Sequence, residues 1–392
     1  MAGQPVSFMK THNDLRRFAV TRSLFSPTML EKAIERMGFV QADPIRAPAR
    51  AQDLTLRPRV TGYRAGDLDG RYSSLPIEED VFINYGFVTR ALQALMHPRA
   101  NVNPSAANRR AKDLLAFVRE RGAVHPREVD AHFSHGRVTN YWGGTSSATT
   151  HLLDAMHYKG LLRIVRREAG IRIYGPQQHD AAPVGAAARR AQIDFLVDAV
   201  VDLYAPLPAR SLGYVVARLR YAAPHWRGEL RAALKRAKER LAHAHIDGHE
   251  WYWPAGDRPS AAEPASVRLL APFDPVVWDR LRFELLWGWA YRFEAYTPKP
   301  KRKLGYYALP LLWGDRVIGW ANVTLRDGKI DADLGYVSGR APRDRGFKQA
   351  LEAELEAMAT FLRQDKAAET QRRRGGSLAA LGAASRMVNR DQ

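Results

Sequence analysis

Residues 41–43 read Gln-Ala-Asp, and Pro44 follows them. A proline disfavours helix at the residue before it, so this stretch is predicted to be extended or turn-like. In an extended segment positions 41 and 43 point to one face, with Ala42 turned away. The chemistry open to such a pair is definite. Asp43 can take a proton from a water and stabilise a cationic sugar transition state, while Gln41 can orient that water, or the carboxylate, without adding charge. On spacing alone, a polar pair beside a proline is more often a satisfied turn.

Around this pair the charge is strongly positive. The 392 residues carry 60 Lys+Arg against 41 Asp+Glu, a net charge of +19. The planar fork of arginine binds phosphate bidentately, so a polyanion is the first partner to consider, and nucleic acid is the commonest. Arg46, Arg50, Arg57 and Arg59 follow the pair directly, and Lys299, Lys301, Arg302 and Lys303 form a basic turn. Together with Arg163 and Arg166, and with Arg167 and Arg172 beside them, they are expected to meet DNA phosphates, the alternative for the basic turn being a solvated charge run. Asp274, Asp279 and Arg280 are read as a structural ion-pair network. His243, His245 and His249 are not read as a metal site, because they lack a Cys or a paired carboxylate and a helix would turn His243 and His245 to different faces. The paired tryptophans 251/253 and 287/289 are read as core.

Other chemistries lose support. Without cysteine there is no disulfide, no thiol nucleophile and no Cys-zinc or iron–sulfur site. The chain shows no P-loop, no GxGxxG after a strand, no HExxH and no GxSxG. No apolar run approaches the ~20 residues of a membrane span, and the first residues lack a hydrophobic signal core. A soluble, cytoplasmic chain is expected.

The positioning elements follow from periodicity. Residues 11–38 are predicted helical, broken at Ser26-Pro27, with Ser26 as N-cap and Gly38 as C-cap; Phe39-Val40 then leads into the pair. Ala111–Arg121, a short helix from His125, and a third helix capped by Thr145-Ser146-Ser147 precede a basic hairpin, Leu161–Arg167 and Ile171–Tyr174. That order is the order of a winged helix with the third helix as reader, the alternative being a generic helical subdomain. Residues 181–188 look like a linker. Residues 189–246 are helical, with a basic helix over Arg227–His245, and could form a second winged helix with no visible wing beyond Trp251-Tyr252-Trp253. From Ser266 short strands are predicted: Val267–Leu270, Tyr291–Tyr296, Gly305–Leu312, Arg316–Leu325 and Lys329–Gly335. A closing helix spans 343–363, and a basic, disordered tail begins at Lys366.

The stretch Gly38-Phe39-Val40-Gln41-Ala42-Asp43-Pro44-Ile45 resembles the catalytic region of the YcaQ/AlkZ family of winged-helix DNA glycosylases. A second block strengthens the resemblance: Leu270-Ala271-Pro272-Phe273-Asp274-Pro275-Val276-Val277-Trp278-Asp279-Arg280, then Tyr296-Thr297-Pro298-Lys299 onward to Leu311. The resemblance covers about residues 10–365 in order and spacing. It implies an α+β fold with tandem winged-helix domains in a C-shaped arrangement and a C-terminal antiparallel β-barrel. The expected divisions are 1–110 (winged-helix-like, with the motif), 111–180 (winged helix), 186–258 (third helical or winged-helix domain), 265–365 (β-barrel with closing helix) and 366–392 (tail).

The implied activity is monofunctional hydrolysis of the N-glycosidic bond of N7-alkylguanine, including unhooking of interstrand crosslinks. Gln41 and Asp43 match the Gln-aliphatic-Asp motif of the YcaQ-like branch as its catalytic residues. No cofactor is implied. The implied partner is double-stranded DNA carrying alkylated guanine, met by a nucleoid-associated monomer. One departure stands out: family members often carry Trp-Ala-His-Glu some forty residues after the motif, whereas this chain has Asn84-Tyr85-Gly86-Phe87-Val88-Thr89-Arg90. Thr89, Arg90 and Gln93 are the nearby candidates to replace it. The competing readings are a non-catalytic DNA-binding regulator and, more distantly, a nuclease, which would need a carboxylate cluster for metal.

Overall fold

The computed structural model describes residues 9–99, 109–133, 136–139, 145–168, 170–179, 185–258, 266–327 and 329–363. The tail from Lys366 and residues 181–184 of the expected linker lie outside them, while its last residues, from Ala186, begin a helix. The first helices are α1 (His12–Ser23), held by a reciprocal Thr11/Asp14 cap, and α2 (Leu30–Met37). The Ser26-Pro27 start predicted for α2 does not hold. Thr28 is bridged to Val60, which keeps the chain extended, and the helix begins at Leu30. Gly38 closes α2 at φ 68°, a conformation that suits glycine.

Strand β1 (Phe39–Gln41) follows, then α3 (Ala51–Leu56), α4 (Asp67–Arg71), β2 (Ile77–Val81), β3 (Tyr85–Thr89) and α5 (Arg90–Ala94). The sheet is antiparallel, in the order β1-β3-β2, with Gln41 opposite Gly86. A Cβ on Gly86 would stand 2.3 Å from the Val40 carbonyl oxygen, so only glycine lets β1 approach this closely. Strand β2 buries three acids in a row, Glu78, Glu79 and Asp80. Each needs a cation, because an unpaired buried carboxylate is costly, and arginines from elsewhere in the chain supply them.

The predicted helix order appears next: α6 (Arg109–Arg121), α7 (Pro126–Phe133), a small hairpin of β4 (Arg137–Thr139) and β5 (Thr145–Ser147), α8 (Ala148–Tyr158), then the β6 (Leu162–Glu168) and β7 (Ile171–Pro176) hairpin. The Ser147 hydroxyl accepts from the backbone N–H of Thr149 and Thr150 to start α8. The following part comprises α9 (Ala186–Tyr204), β8 (Leu207–Pro208), α10 (Ala209–Arg218), α11 (Leu230–Arg240), β9 (Ala242–Ile246) and β10 (His249–Trp253). The basic helix therefore ends at Arg240, not His245. Ala-His-Ala-His-Ile alternates with period two and pairs with β10 across Asp247-Gly248, both at positive φ. Trp251 and Trp253 are buried, as expected.

The last part holds β11 (Val267–Leu269), α12 (Arg280–Trp287), β12 (Leu309–Trp313), β13 (Arg316–Arg326), β14 (Lys329–Tyr336) and α13 (Arg345–Leu362). Its sheet is open, in the order β11-β12-β13-β14, and the expected barrel is not formed. The reason is local. Residues 291–296 are irregular and supply no fifth strand; the Thr297 N–H closes a turn onto the Glu294 carbonyl oxygen, and the buried Glu294 carboxylate accepts from the Lys303 and Leu304 N–H. Helix α13 packs across both edge strands, β11 and β14.

Two buried ion pairs tie this part to the first. Arg59 meets Asp274 through both guanidinium nitrogens, at 2.6 and 3.0 Å, with both side chains fully enclosed. Arg57 meets Glu354 of α13, whose carboxylate also accepts from the backbone N–H of Leu269.

Candidate active site

Strand β1 ends at Gln41, and the Ala42 N–H donates to the Tyr85 carbonyl oxygen at 3.0 Å. Ala42 packs against the core, while Gln41 and Asp43 are half-buried beside it. Asp43 is held locally. Its Oδ1 accepts from the Ile45 N–H at 2.9 Å, and its own N–H donates to Gln52 Oε1 at 3.3 Å. Among the described residues no cation pairs with it. Loss of solvation raises its pKa above the ordinary aspartate range, opposed by the Ile45 N–H. The exposed Tyr296 and the buried Tyr307 lie within its field, since burial and then the Asp43 charge raise both phenol pKa values. The Tyr307 hydroxyl is enclosed and has no hydrogen-bond partner among the described residues.

Gln41 is fixed from two sides. Its Oε1 accepts from Trp278 Nε1 at 2.8 Å and from Asn84 Nδ2 at 3.0 Å. Asn84 Oδ1 in turn accepts from Arg218 at 2.5 Å, and Arg218 Nε donates to the Ile83 carbonyl oxygen at 2.8 Å. The Arg218 guanidinium lies over the rings of Tyr214, Tyr221 and Trp278, at 5.8, 5.2 and 5.7 Å, a cation–π arrangement that holds it in place. A cleft of ≈ 550 Å³ opens beside this chain of contacts, with Asn84, Arg210, Tyr214, Arg218 and Trp278 in its wall. Asn84 and Trp278 carry no sign in the sequence of a place at this site, since each reaches it only through the fold.

The predicted replacements for the missing His and Glu serve other purposes. Thr89 caps α5, Arg90 pairs with Glu78, and buried Gln93 donates to Asp80.

The predicted DNA contacts divide. Arg46 is exposed, as are Lys299, Lys301 and Lys303; Arg302 is half-buried, donating to the Thr297 carbonyl oxygen and lying over Tyr306. Arg57 and Arg59 are enclosed in the ion pairs above, so no phosphate reaches them. Arg50 is held by Asp69, and Arg163 by the buried Glu78. Arg166 is exposed and pairs with Glu168; Arg167 is bound by Glu79 and Arg172 by Asp154. The β6–β7 hairpin thus spends most of its arginines on protein carboxylates. Asp274, Asp279 and Arg280 are structural but do not pair with one another. Asp274 holds Arg59, Asp279 caps α12 at the Arg282 N–H, and Arg280 donates to the carbonyl oxygens of Val277 and Pro272.

His243 and His245 lie on strand β9 rather than a helix, both near Glu250. Among the described residues no group of three or more His, Cys, Asp or Glu is arranged to hold a metal ion. Nor is any helix among them long and apolar enough to cross a membrane.

Two comparisons bear on this arrangement. A family model described as DNA glycosylase AlkZ-like matches residues 34–361. Among solved structures, the chain is similar to the Streptomyces sahachiroi DNA glycosylase AlkZ, with a TM-score of 0.58 at 12% identity, over 90% of this chain and 97% of that one. At that identity the structural likeness speaks for the fold.

Proposed function

The chain belongs to the AlkZ-like DNA glycosylase family, and from that premise we propose that it hydrolyses the N-glycosidic bond of N7-alkylated guanine in double-stranded DNA, with Asp43 and Gln41 as its catalytic residues. The observation that carries this reading is a carboxylate without a cationic partner among the described residues, half-buried beside an amide fixed from two sides.

Alkylation at N7 makes the base cationic and already a good leaving group, so little acid catalysis is required. What remains is to deliver a water to C1′ and to stabilise the oxocarbenium-like sugar. Asp43 does both: it accepts the water proton as the oxygen–C1′ bond forms and the C1′–N9 bond breaks, and its negative charge faces the positive sugar. No lysine Schiff base is needed, which makes the enzyme monofunctional. The exposed Lys299, Lys301 and Lys303, with Arg46, supply phosphate contacts. The parts α6–β7 and α9–β10 act as two winged helices that cradle the duplex. A crosslinked guanine cannot leave the stack as in ordinary base flipping, and an open cleft would allow unhooking.

The test is incubation of the full chain with a duplex carrying N7-methylguanine, followed by alkaline cleavage. Strand breaks should appear with the wild type and vanish with Asp43→Asn, while DNA affinity stays nearly constant. Tight binding without base release by the wild type would instead favour a non-catalytic DNA-binding protein.

A further inference from the structure

We infer that Asn84 is a positioning residue that holds the Gln41 carboxamide with its NH2 turned outward, so that Gln41 works as a hydrogen-bond donor in the site. The catalytic half of this inference rests on the glycosylase reading above.

The two ends of one hydrogen-bonded chain fix the orientation of both amides. Oxygen and nitrogen of a carboxamide are nearly alike in shape, and only their partners distinguish them. Here both terminal partners can only donate. The Trp278 indole has one N–H and no acceptor, and the Arg218 guanidinium has five N–H groups and no acceptor. The atom of Gln41 facing Trp278 must therefore be oxygen. The atom of Asn84 facing Arg218 must also be oxygen, which turns its NH2 to Gln41. Only one orientation of the two amides satisfies every bond. The Gln41 oxygen then has both lone pairs occupied, and its NH2 is the group left to meet a ligand.

Local geometry explains why residue 84 does this. The β1–β3 register pairs 39 with 88, 40 with 87 and 41 with 86. Beyond it the Ala42 N–H donates to the Tyr85 carbonyl oxygen, and Asn84 comes next, in the bend before β3. Asn84 thus stands where one side chain can steer Gln41 while its neighbour Tyr85 holds the backbone of Ala42.

The chemical consequence is a division of labour. An NH2 group cannot take a proton from the nucleophilic water, so that task falls to Asp43 alone. The Gln41 donor suits an acceptor on the DNA, such as a phosphate oxygen or an acceptor atom of the departing guanine, which gains electron density as C1′–N9 breaks.

The decisive variant is Asn84→Asp, which keeps the shape and strengthens the contact to Arg218. Its second carboxylate oxygen would repel Gln41 Oε1 and turn the amide over, leaving the Trp278 indole facing an NH2. In the full chain the Trp278 indole proton, assigned by its absence in Trp278→Phe, should then exchange with solvent about tenfold faster, as expected for the loss of one hydrogen bond. The single-turnover rate of base release from N7-methylguanine duplex should fall by about tenfold or more, with the DNA dissociation constant within roughly twofold of wild type. Adding Gln41→Ala to Asn84→Asp should cost nothing further, since residues acting through one another are not additive. Trp278→Phe, which removes the other donor but keeps an aromatic ring, should lower the rate without weakening DNA binding.

Multiplying losses in the double variant, or an indole proton still protected in Asn84→Asp, would overturn the inference. If the wild type releases no base, the glycosylase reading falls, and the exchange measurement still decides how Gln41 is held.

Discussion

The Trp278 indole donates a 2.8 Å hydrogen bond to Gln41, 237 positions earlier in the chain. The second sequence block thereby becomes part of the site that the first block defines. One face of Trp278 is engaged with Tyr204, at 5.0 Å between ring centres, so segments from three parts of the fold fix one amide.

Excision should depend on Asp43 being ionised. Burial raises its pKa above the usual value near 3.9. The rate should therefore fall as pH drops, with a midpoint above that of a free aspartate. Single-turnover rates measured between pH 4 and 8 would show it, and a midpoint at or below the free value would contradict the assignment of Asp43 as base.

Arg59 and Asp274 share a solvent-free ion pair, in which Arg59 also donates to the Thr55 and Ser23 carbonyl oxygens. Arg59→Met leaves a buried carboxylate uncompensated and should destabilise the fold by about 3–5 kcal/mol. The double variant Arg59→Met/Asp274→Leu should recover most of that loss. Thermal unfolding of the three proteins tests the sign.

Asp53 is buried, accepting from the Tyr63 hydroxyl at 2.8 Å and the Gly66 N–H at 3.1 Å. Desolvation, opposed by those two bonds, pushes its pKa up to about 6. The folded chain then binds this proton more tightly than the unfolded chain does. Its contribution to stability grows as pH falls from 7 toward 4, by on the order of 2–3 kcal/mol. Asp53→Asn should be more stable than wild type at pH 7.5, with the difference shrinking at pH 5.

The basic turn should act through phosphate alone. Replacing Lys299, Lys301 and Lys303 with alanine should weaken binding alike for damaged and undamaged duplexes. The slope of log affinity against log salt should drop by roughly two to three. Base release at saturating DNA should be unchanged.

The sequence made some features legible because they are local. Pro44 sets the backbone at Asp43, Gly38 ends a helix, and the period-two and helical patterns mark most elements. Charge was harder to place. Arg59 and Lys299 look alike in sequence, yet one is enclosed by Asp274 and the other is open to solvent. The run Glu78-Glu79-Asp80 drew no reading from the sequence, yet it is a buried strand that captures Arg163, Arg167 and Arg99 from distant positions. Asn84 carried no signal of its own, because its role arises from where the bend before β3 sets it, between Gln41 and Arg218. The five strand-like runs fitted a barrel or a sheet, and the barrel itself was what the resemblance implied; residues 291–296 form no strand, and the Thr297 N–H closes a turn onto the Glu294 carbonyl oxygen.

The paired charges at Arg57/Glu354 and Arg59/Asp274 also set a schedule for the newborn chain. At roughly 5–20 residues per second on the ribosome, Arg59 waits tens of seconds for Asp274, and Arg57 longer still for Glu354. Until those partners emerge the early segment holds cations it cannot bury, and Gln41 lacks its indole until Trp278 has followed Asp274. The first and last parts of the fold are thus joined only when synthesis is nearly finished, and a fragment terminated before Glu354 would leave Arg57 without its buried carboxylate.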